Sequence, residues 1–173
     1  MKPTAPNSIR ALLALVVLTA FGCGSDLLGP TFEQGLTHLG GCADVVFFAV
    51  DDAEETMVTF ETAGLVAEAQ AAGRETETVI ALPAAGVRLI VGQGSRISDA
   101  TCDDVIENGG PRVERIWMAT SGTATVRIRP SGLGSGGRGD LILEDIVFSS
   151  DGEEPVTMDR LEWLDVSVGW FPG

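Results

Sequence analysis

Basic side chains are scarce in this sequence. Its 173 residues include 11 lysines and arginines against 25 aspartates and glutamates, which gives a formal net charge of −14. Lys2 is the only lysine. Because proteins that bind nucleic acid need a basic face to neutralise phosphates, this composition argues against nucleic acid as a partner. It also argues against docking on anionic lipid surfaces, and the surplus of carboxylates either attracts cationic partners or keeps the protein soluble.

Histidine is almost absent and tyrosine is missing. His38 is the only histidine, and no G-x-S-x-G, H-E-x-x-H or C-x-x-C motif occurs. Triad hydrolases and structural zinc sites need several such residues at fixed spacings. We therefore expect no enzymatic activity, and we interpret His38 as a solvated linker residue rather than as a catalytic base.

The N-terminal apolar run is too short to span a membrane as a helix. It extends over residues 11–21, about 16 Å in a helix, which is half of a bilayer core. Lys2 and Arg10 precede it, no acidic residue does, and small residues end it. This pattern is typical of a secretory signal peptide, so we expect residues 1–22 to be removed on export.

The end of that run, residues 18–23 (LTAFGC), resembles the lipobox of bacterial lipoproteins, in which Gly or Ala precedes a modified Cys. The resemblance implies that Cys23 carries diacylglycerol and that its new amino terminus is acylated, which would anchor the protein to a membrane. Because Gly24 rather than Asp follows, it also implies sorting to the outer membrane. Positions 20 and 21 depart from the family's aliphatic-then-small pattern. Ordinary secretion after Gly22 is therefore the alternative.

The three cysteines are an odd number for an exported protein. If Cys23 carries lipid, Cys42 and Cys102 remain as a pair in an oxidising compartment, and we predict a disulfide between them. In the chain-entropy model such a bond stabilises the fold by about 4 kcal/mol. A metal site or a catalytic thiol is the alternative. Loss of residues 1–22 leaves 9 cationic against 25 acidic side chains, a net charge of −16.

Short apolar runs between turn residues follow the signal segment. Residues 122–130 show the clearest alternation of polar and apolar side chains, as in a half-solvated strand. Residues 64–73 fit either a short helix or an irregular strand. A shift in apolar parity predicts a β-bulge near Trp163 or Leu164. The strand candidates are 44–50, 56–62, 77–83, 87–93, 112–120, 122–130, 140–149 and 156–170.

This pattern predicts an all-β fold, an antiparallel β-sandwich of about eight strands with at most one or two short helices. We expect three parts: the signal peptide (1–22), the lipidated Cys with a flexible tether (23–41), and one β-sandwich domain (42–173). Residues 94–111 are expected to be loop with one helical turn, and residues 131–139 a flexible hairpin loop. The end of this loop and the first residue of the next strand form Arg138-Gly139-Asp140, a tripeptide that integrin ligands display, which we interpret as turn chemistry.

Calcium is the most reasonable ligand hypothesis for the acidic turns, because Ca²⁺ prefers six to eight oxygen ligands. Solvated turn carboxylates are the competing interpretation. Trp117, Trp163 and Trp170 could stack on sugars, but their strand patterns favour packing in the core. The candidate calcium ligands are Asp51, Asp52, Asp103, Asp104, Asp151 and Glu153.

Together these features predict a lipid-anchored cell-envelope protein with a non-catalytic binding or structural role. It would lie at the outer membrane, facing the periplasm or the cell surface, with a protein or glycan partner in the envelope. Two alternatives stay open. One is a calcium- or glycan-binding β-sandwich module, and the other is a hydrolase that uses two carboxylates across a cleft.

Overall fold

The computed structural model describes residues 32–102, 110–131 and 136–169. The predictions for the signal segment and for Cys23, Asp103, Asp104 and Trp170 lie outside these residues. Within them, no helix has the length and apolar character needed to cross a membrane. The strands are β1 (Leu36–Cys42), β2 (Val45–Asp51), β3 (Thr56–Thr62), β4 (Thr76–Leu82), β5 (Arg88–Ser95), β6 (Arg112–Pro130), β7 (Gly137–Ser149) and β8 (Val156–Val168). One α-helix, α1 (Leu65–Ala72), and two 3₁₀ helices (Phe32–Gly35 and Ile97–Ala100) complete the described elements.

The eight strands form one antiparallel sheet. Their order is β1-β2-β3-β5-β6-β7-β8, and β4 also pairs with β6. The sheet is nearly closed into a barrel, because β8 returns to the β1 side: the Gly169 amide donates to the Ala43 carbonyl. The Trp163 indole also donates to the Phe48 carbonyl, at 2.8 Å. The all-β antiparallel class and the number of strands are thus confirmed.

Strand β6 joins two segments that the sequence predicts as separate strands. Its first half pairs with β5, where Met118 lies opposite Ile90. Its second half pairs with β4, where Gly122 lies opposite Leu82. The ladder to β7 is irregular around Ser121, at the junction of the two halves. Strands β4 and β5 therefore lie one after the other along the same edge of β6.

The sheet begins earlier in the chain than the sequence predicts. Residues 36–41 are expected in the tether, yet they belong to β1, which pairs with β2. Two glycines make this close pairing possible. The Phe48 ring lies where a side chain on Gly40 would stand, and Gly41 lies against Val166 of β8. In the sequence, these glycines suggest a flexible linker. In the structure, their lack of a side chain allows the strands to approach closely.

Helix α1 resolves the ambiguous segment 64–73. The Gly64 amide at its start donates to the Asp44 carboxylate, and Gly73 ends it in the left-handed conformation with φ 63°. Leu65, Val66 and Ala69 are buried, so the helix covers one end of the core. A short helix rather than an irregular strand is the correct assignment.

Aromatic side chains from distant strands meet in the core. The Phe47 ring of β2 lies 6.4 Å from that of Phe60 and 6.2 Å from the Trp163 ring of β8. Trp117 is also buried. Two of the three tryptophans are thus core residues, as the strand pattern predicts, and neither is available as a sugar-stacking surface.

The predicted β-bulge lies in β8. Leu141 pairs with Trp163 and Gly139 with Val166, so two residues of β8 face one residue of β7. Asp165, one of the two, has a positive φ of 57°. The bulge near Leu164 is confirmed, but Leu164 itself is 61% exposed. The sequence pattern suggests that inward-facing apolar residues resume at Leu164. In the structure they resume at Val166.

Candidate functional site

A short segment crosses the outer face of the sheet and is held there by a disulfide. Cys42 of β1 is bonded to Cys102, with 5.9 Å between their Cα atoms, which confirms the predicted pairing. Residues 96–102, which we call the strap, follow β5 and reach β1 through this bond. The Ile97 amide donates to the Glu54 carbonyl at 3.1 Å, and the Thr101 hydroxyl lies 3.5 Å from the Met57 sulfur.

The strap encloses a second apolar cluster, separate from the main core. Val50, Met57 and Ile97 are buried together, with Phe48 packed against them. Gly92 of β5 makes room for the strap, since a Cβ there would lie 2.9 Å from the Ile97 Cδ1 atom. The sheet therefore has apolar residues on its outer face as well as on its inner face.

A cavity of about 190 Å³ lies beside the strap. Strands β3 and β5 form its floor, β6 one wall and the strap the other. We call it the outer groove and define it by Met57, Thr59, Ile90, Ile97, Val113 and Ile116. It lies between the strap, which the disulfide holds, and the continuous strand β6.

Polar side chains also line the groove, and the most deeply buried of them is Thr59. Thr59 is 2% exposed, and its Oγ1 atom has no hydrogen-bond partner among residues 32–102, 110–131 and 136–169. In the ladder it lies between Phe48 of β2 and Ile90 of β5. A buried hydroxyl without a partner costs about 1–3 kcal/mol. The groove is therefore lined by apolar side chains together with two threonines and one ion pair.

An ion pair borders the groove. The Arg88 Nε atom donates to the Glu61 carboxylate at 3.0 Å, and a second guanidinium nitrogen donates to the other oxygen. This hydrogen bond is the main reason why the pKa of Arg88 is raised. Because the two charges compensate each other, the groove carries no net charge from this pair that would select a charged ligand.

An apolar strip on β6 continues from the groove. Val113 and Ile116 are each 46% exposed, and Met118 is 57% exposed. Contiguous exposed apolar residues bordered by polar ones mark interaction sites more often than isolated ones do. We call these three residues the apolar strip.

The acidic turns do not form a metal site within the described parts of the chain. There, no group of three or more His, Cys, Asp or Glu side chains is placed to hold a metal ion. Asp51 accepts a hydrogen bond from the Glu55 amide at 2.8 Å, and Asp52 lies 3.2 Å from the His38 imidazole. Asp151 and Glu153 lie in the turn between β7 and β8. The calcium hypothesis, which also uses Asp103 and Asp104, stays a prediction.

Three carboxylates line one cleft of about 420 Å³. They are those of Asp51, Glu55 and Glu114, and Arg115 lies among them. Arg115 is also 3.7 Å from Glu153. The carboxylate-hydrolase alternative would place its two acids among these side chains. The Asp51 carboxylate, however, already accepts a backbone hydrogen bond that shapes the β2–β3 turn.

The Arg138-Gly139-Asp140 tripeptide lies in a strand, not in a loop. Strand β7 begins at Gly137, so the predicted hairpin loop is wrong for its last three residues. Arg138 donates to Asp165 at 3.0 and 2.8 Å, and Arg129 donates to both oxygens of Asp140 at 2.7 and 2.8 Å. Both charged members of the tripeptide are therefore occupied within the sheet.

Sequence reasoning missed Thr59 and the apolar strip. A signal was present: Ile116, Trp117 and Met118 are consecutive, and consecutive apolar residues in a strand place apolar side chains on both faces. Trp117 points into the core, so its neighbours must point outward. Thr59 gives no comparable signal, because its burial depends on Phe48, Ile90 and the strap.

The fold and site define a class of protein, an all-β chain with a disulfide-pinned strap and an apolar groove on its outer face. No family model, curated protein or solved structure matches the chain.

Proposed function

We propose that the chain is a lipid-anchored protein of the cell envelope with a non-catalytic binding role. Its binding surface would be the outer groove together with the apolar strip, and its partner another envelope component. The lipobox-like segment ending at Cys23 supports the anchor and export to the outer membrane. The bond between Cys42 and Cys102 supports an oxidising compartment, where disulfides persist.

The observation that carries the binding role is the apolar surface on the outer face of β6. Apolar side chains at Val113, Ile116 and Met118 are about half exposed in and beside the outer groove. Exposing them to water is unfavourable, at about 25 cal/mol per Å² of apolar area. A partner that covers the strip removes this area from water, which is the driving force for association.

We further propose that the nearly closed sheet is flattened into two facing layers, as in a sandwich. Contacts across the core support this. Phe47 of β2 packs against Trp163 of β8, and it also approaches Gly139 of β7 so closely that a Cβ on Gly139 would lie 2.8 Å from its ring. One layer would then present the groove while the other supports it.

The anchor is tested by the intact mass of the chain extracted from its native membrane. We expect loss of residues 1–22, added acyl chains on Cys23, and two hydrogens fewer than the reduced form because of the disulfide. Cys23→Ser should abolish the acyl mass and release the protein from the membrane, while Cys42→Ser should keep the acyl mass. Cleavage without added lipid in the wild-type chain would overturn the anchored proposal in favour of free secretion.

The binding surface is tested by placing a photo-crosslinking amino acid at single positions in intact cells. We expect a discrete adduct from Met118, identified by mass spectrometry and reproduced by a crosslinker placed in the identified partner. Leu164 is the matched control, since it is 61% exposed on β8, away from the strip. Equal labelling from positions 164 and 118, or no adduct from position 118, would contradict the proposal.

A further inference from the structure

Strand β4 has a hydrogen-bonding partner along one edge only. It pairs with β6 from Thr76 opposite Ile128 to Leu82 opposite Gly122, without a break in register. No other backbone–backbone hydrogen bond involves residues 76–82 within the described ranges 32–102, 110–131 and 136–169. Because successive N–H and C=O groups of a strand point to opposite sides, the second edge of β4 keeps a row of unused donors and acceptors.

The two ends of the sheet differ from β4 in this respect. Strands β1 and β8 approach each other, and the Gly169 amide donates to the Ala43 carbonyl. A Cβ on Gly41 of β1 would lie 2.9 Å from the Ser167 carbonyl oxygen of β8. The near closure of the barrel therefore covers these two edges in part, whereas no described strand lies beside the free edge of β4.

The free edge of β4 lacks the features that usually prevent strand addition. Proteins blunt such edges with lysine, proline, β-bulges or inward-pointing charges. The sequence of β4 is TETVIAL, without lysine or proline, and its pairing with β6 has no register shift. Its single charged residue, Glu77, is exposed and accepts a hydrogen bond from Arg127. Segments of this kind, rich in β-branched residues and low in charge, pair readily with another strand.

The inward-facing side chains of β4 are also incompletely covered. Thr76, Thr78 and Ile80 lie opposite buried residues of β6, yet each of them is only half-buried. In β2, which has a strand on both edges, the inward-facing Val45 and Phe47 are 0% exposed. A strand added beside β4 would therefore bury apolar surface as well as satisfy backbone groups.

We propose that the free edge of β4 binds an extended segment of a partner polypeptide, which adds to the sheet as an antiparallel strand. In this mode of recognition, backbone hydrogen bonds select an extended chain, and side chains at alternate positions set the specificity. The surface is distinct from the outer groove and the apolar strip, and the inference does not depend on the function proposed for them.

Charge and area favour a partner polypeptide over a second copy of this chain. Without residues 1–22 each copy carries 9 cationic and 25 acidic side chains, a net charge of −16, so two copies repel each other. A strand of seven residues is also short for a stable dimer, which commonly buries about 800 Å² on each partner. The same net charge attracts basic segments, so the partner segment is basic.

The side chains of β4 predict the pattern of the added strand. Glu77 and Val79 lie on the outer face, where a cation opposite Glu77 would extend the row that begins with Arg127. Thr78 and Ile80 face inward and favour β-branched residues opposite them. Both kinds of cross-strand pair are favourable. The partner segment therefore alternates between arginine or lysine on one face and valine or isoleucine on the other.

The test uses the peptide acetyl-Thr-Arg-Val-Thr-Val-Arg-Thr-amide, which has this alternation. It is titrated calorimetrically into the full chain in phosphatidylcholine nanodiscs, with empty nanodiscs as the blank. Two further peptides carry N-methyl groups on both arginines or on both valines, which removes donors from opposite edges of the strand. We expect one methylated peptide to bind like the parent and the other about 10-fold more weakly, because two backbone hydrogen bonds are lost. Equal affinities of the two methylated peptides, or no binding of the parent, would overturn the proposal.

Val79→Lys locates the peptide on β4. Val79 is 64% exposed, so the fold should tolerate the change, and the new cation should weaken binding about 2- to 5-fold by repelling the arginines of the peptide. Leu164→Lys is the matched control, since Leu164 is 61% exposed on β8 and the variant has the same net charge. It should bind the peptide like the wild type. Equal affinities of the two variants would place the peptide elsewhere and overturn the site.

Light scattering of the full chain in detergent tests the second copy as the occupant. We expect a monomer. A dimer that Val79→Lys converts to a monomer would show that β4 pairs with itself, which would overturn the assignment to a partner polypeptide. A partner crosslinked at Met118 without peptide binding would refute only the inference about β4. Peptide binding without an adduct at Met118 would refute only the binding surface proposed above.

Discussion

At the scale of single residues, Asp140 shows how this acidic chain stabilises a buried carboxylate. It is 8% exposed, receives two hydrogen bonds from Arg129 and accepts a third from the Asp165 amide at 2.7 Å. The hydrogen bond from Arg129 is the main reason why the pKa of Asp140 is lowered. The charged form of Asp140 is therefore favoured in the folded state.

This lowered pKa predicts a pH-dependent effect of Asp140→Asn. The contribution of Asp140 to stability is present above its unfolded-state pKa of about 3.9 and is lost as the pH falls through the lower folded-state value. At neutral pH we expect the variant to lose about 1–3 kcal/mol of unfolding free energy. Urea titrations at a series of pH values from neutral to acidic measure this loss. The difference in unfolding free energy between the variant and the wild type should shrink below about pH 4.

Asp159→Asn is the control for this experiment, since it removes one charge from an exposed position of β8. It should have little effect at any pH. If the difference in unfolding free energy between the wild type and Asp140→Asn stays constant with pH, the carboxylate charge is not what stabilises the fold.

Gly139 packs directly against the Phe47 ring in the core, so we predict that Gly139→Ala is destabilising. Its Cβ would lie 2.8 Å from the Phe47 ring and 3.3 Å from Ile128. Overpacking of this kind costs about 1–3 kcal/mol. Gly35→Ala is the control, because no atom lies within 4 Å of its Cβ position. Chemical unfolding should separate the two variants, and equal midpoints would contradict the packing described here.

At the scale of elements, the strap depends on its disulfide. It contributes Ile97 to the second apolar cluster, yet its only covalent link to β1 within the described residues is the bond between Cys42 and Cys102. Residues 94–111 were expected to be loop with a helical turn. That turn was expected around residues 99–106, of which 103–106 lie outside the described residues, and the structure has a 3₁₀ turn at Ile97–Ala100 instead. The position of Ile97 over Gly92 depends on strands distant in sequence.

We predict that removing the disulfide destabilises the fold by about 4 kcal/mol, the chain-entropy value for a loop of this length. The bond spans 60 residues. Urea unfolding of the double variant Cys42→Ser/Cys102→Ser should show the loss, and a reductant should shift the wild type toward the variant. The variant itself should not respond to reductant. An unchanged wild-type midpoint under reduction would contradict this stabilising role.

Strand positions followed from local pattern, whereas strand partners did not. The period of two in 122–130 and the parity change near Trp163 predicted a strand and a bulge correctly, because alternation depends only on which face a residue occupies. The sequence did not predict that residues 112–120 and 122–130 form one strand, β6. It depends on β4 and β5 lying one after the other beside it, which no local pattern records.

At the scale of the whole molecule, net charge is the dominant electrostatic feature. The formal charge is −14, and −16 without residues 1–22. Like charges at this density repel one another and oppose the compact state. Exposed ion pairs such as Arg127–Glu77 and Arg160–Glu162 offset only a little of this repulsion, because water screens charges at the surface.

We therefore predict that salt raises the melting temperature. Screening shortens the reach of charge interactions from about 10 Å at 0.1 M to about 3 Å at 1 M ionic strength, which weakens repulsion among the surplus carboxylates more than the short ion pairs. Calorimetric melts in sodium chloride should show the rise, with a potassium salt as the control for ion identity. A fall in melting temperature with salt would mean that the surface ion pairs outweigh the net repulsion.

The sequence by itself determined the all-β class, the approximate strands, the bulge in β8 and the cysteine pair, because alternation, turn residues and an odd cysteine count are local or compositional. Only the tertiary structure decided that β1 joins the sheet, that β6 is one strand and that the sheet nearly closes. It alone placed Thr59, Ile90 and Ile116 around one groove. These outcomes depend on contacts between distant residues, such as that of Phe48 with Gly40. The local sequence around each residue does not identify the residue that it contacts.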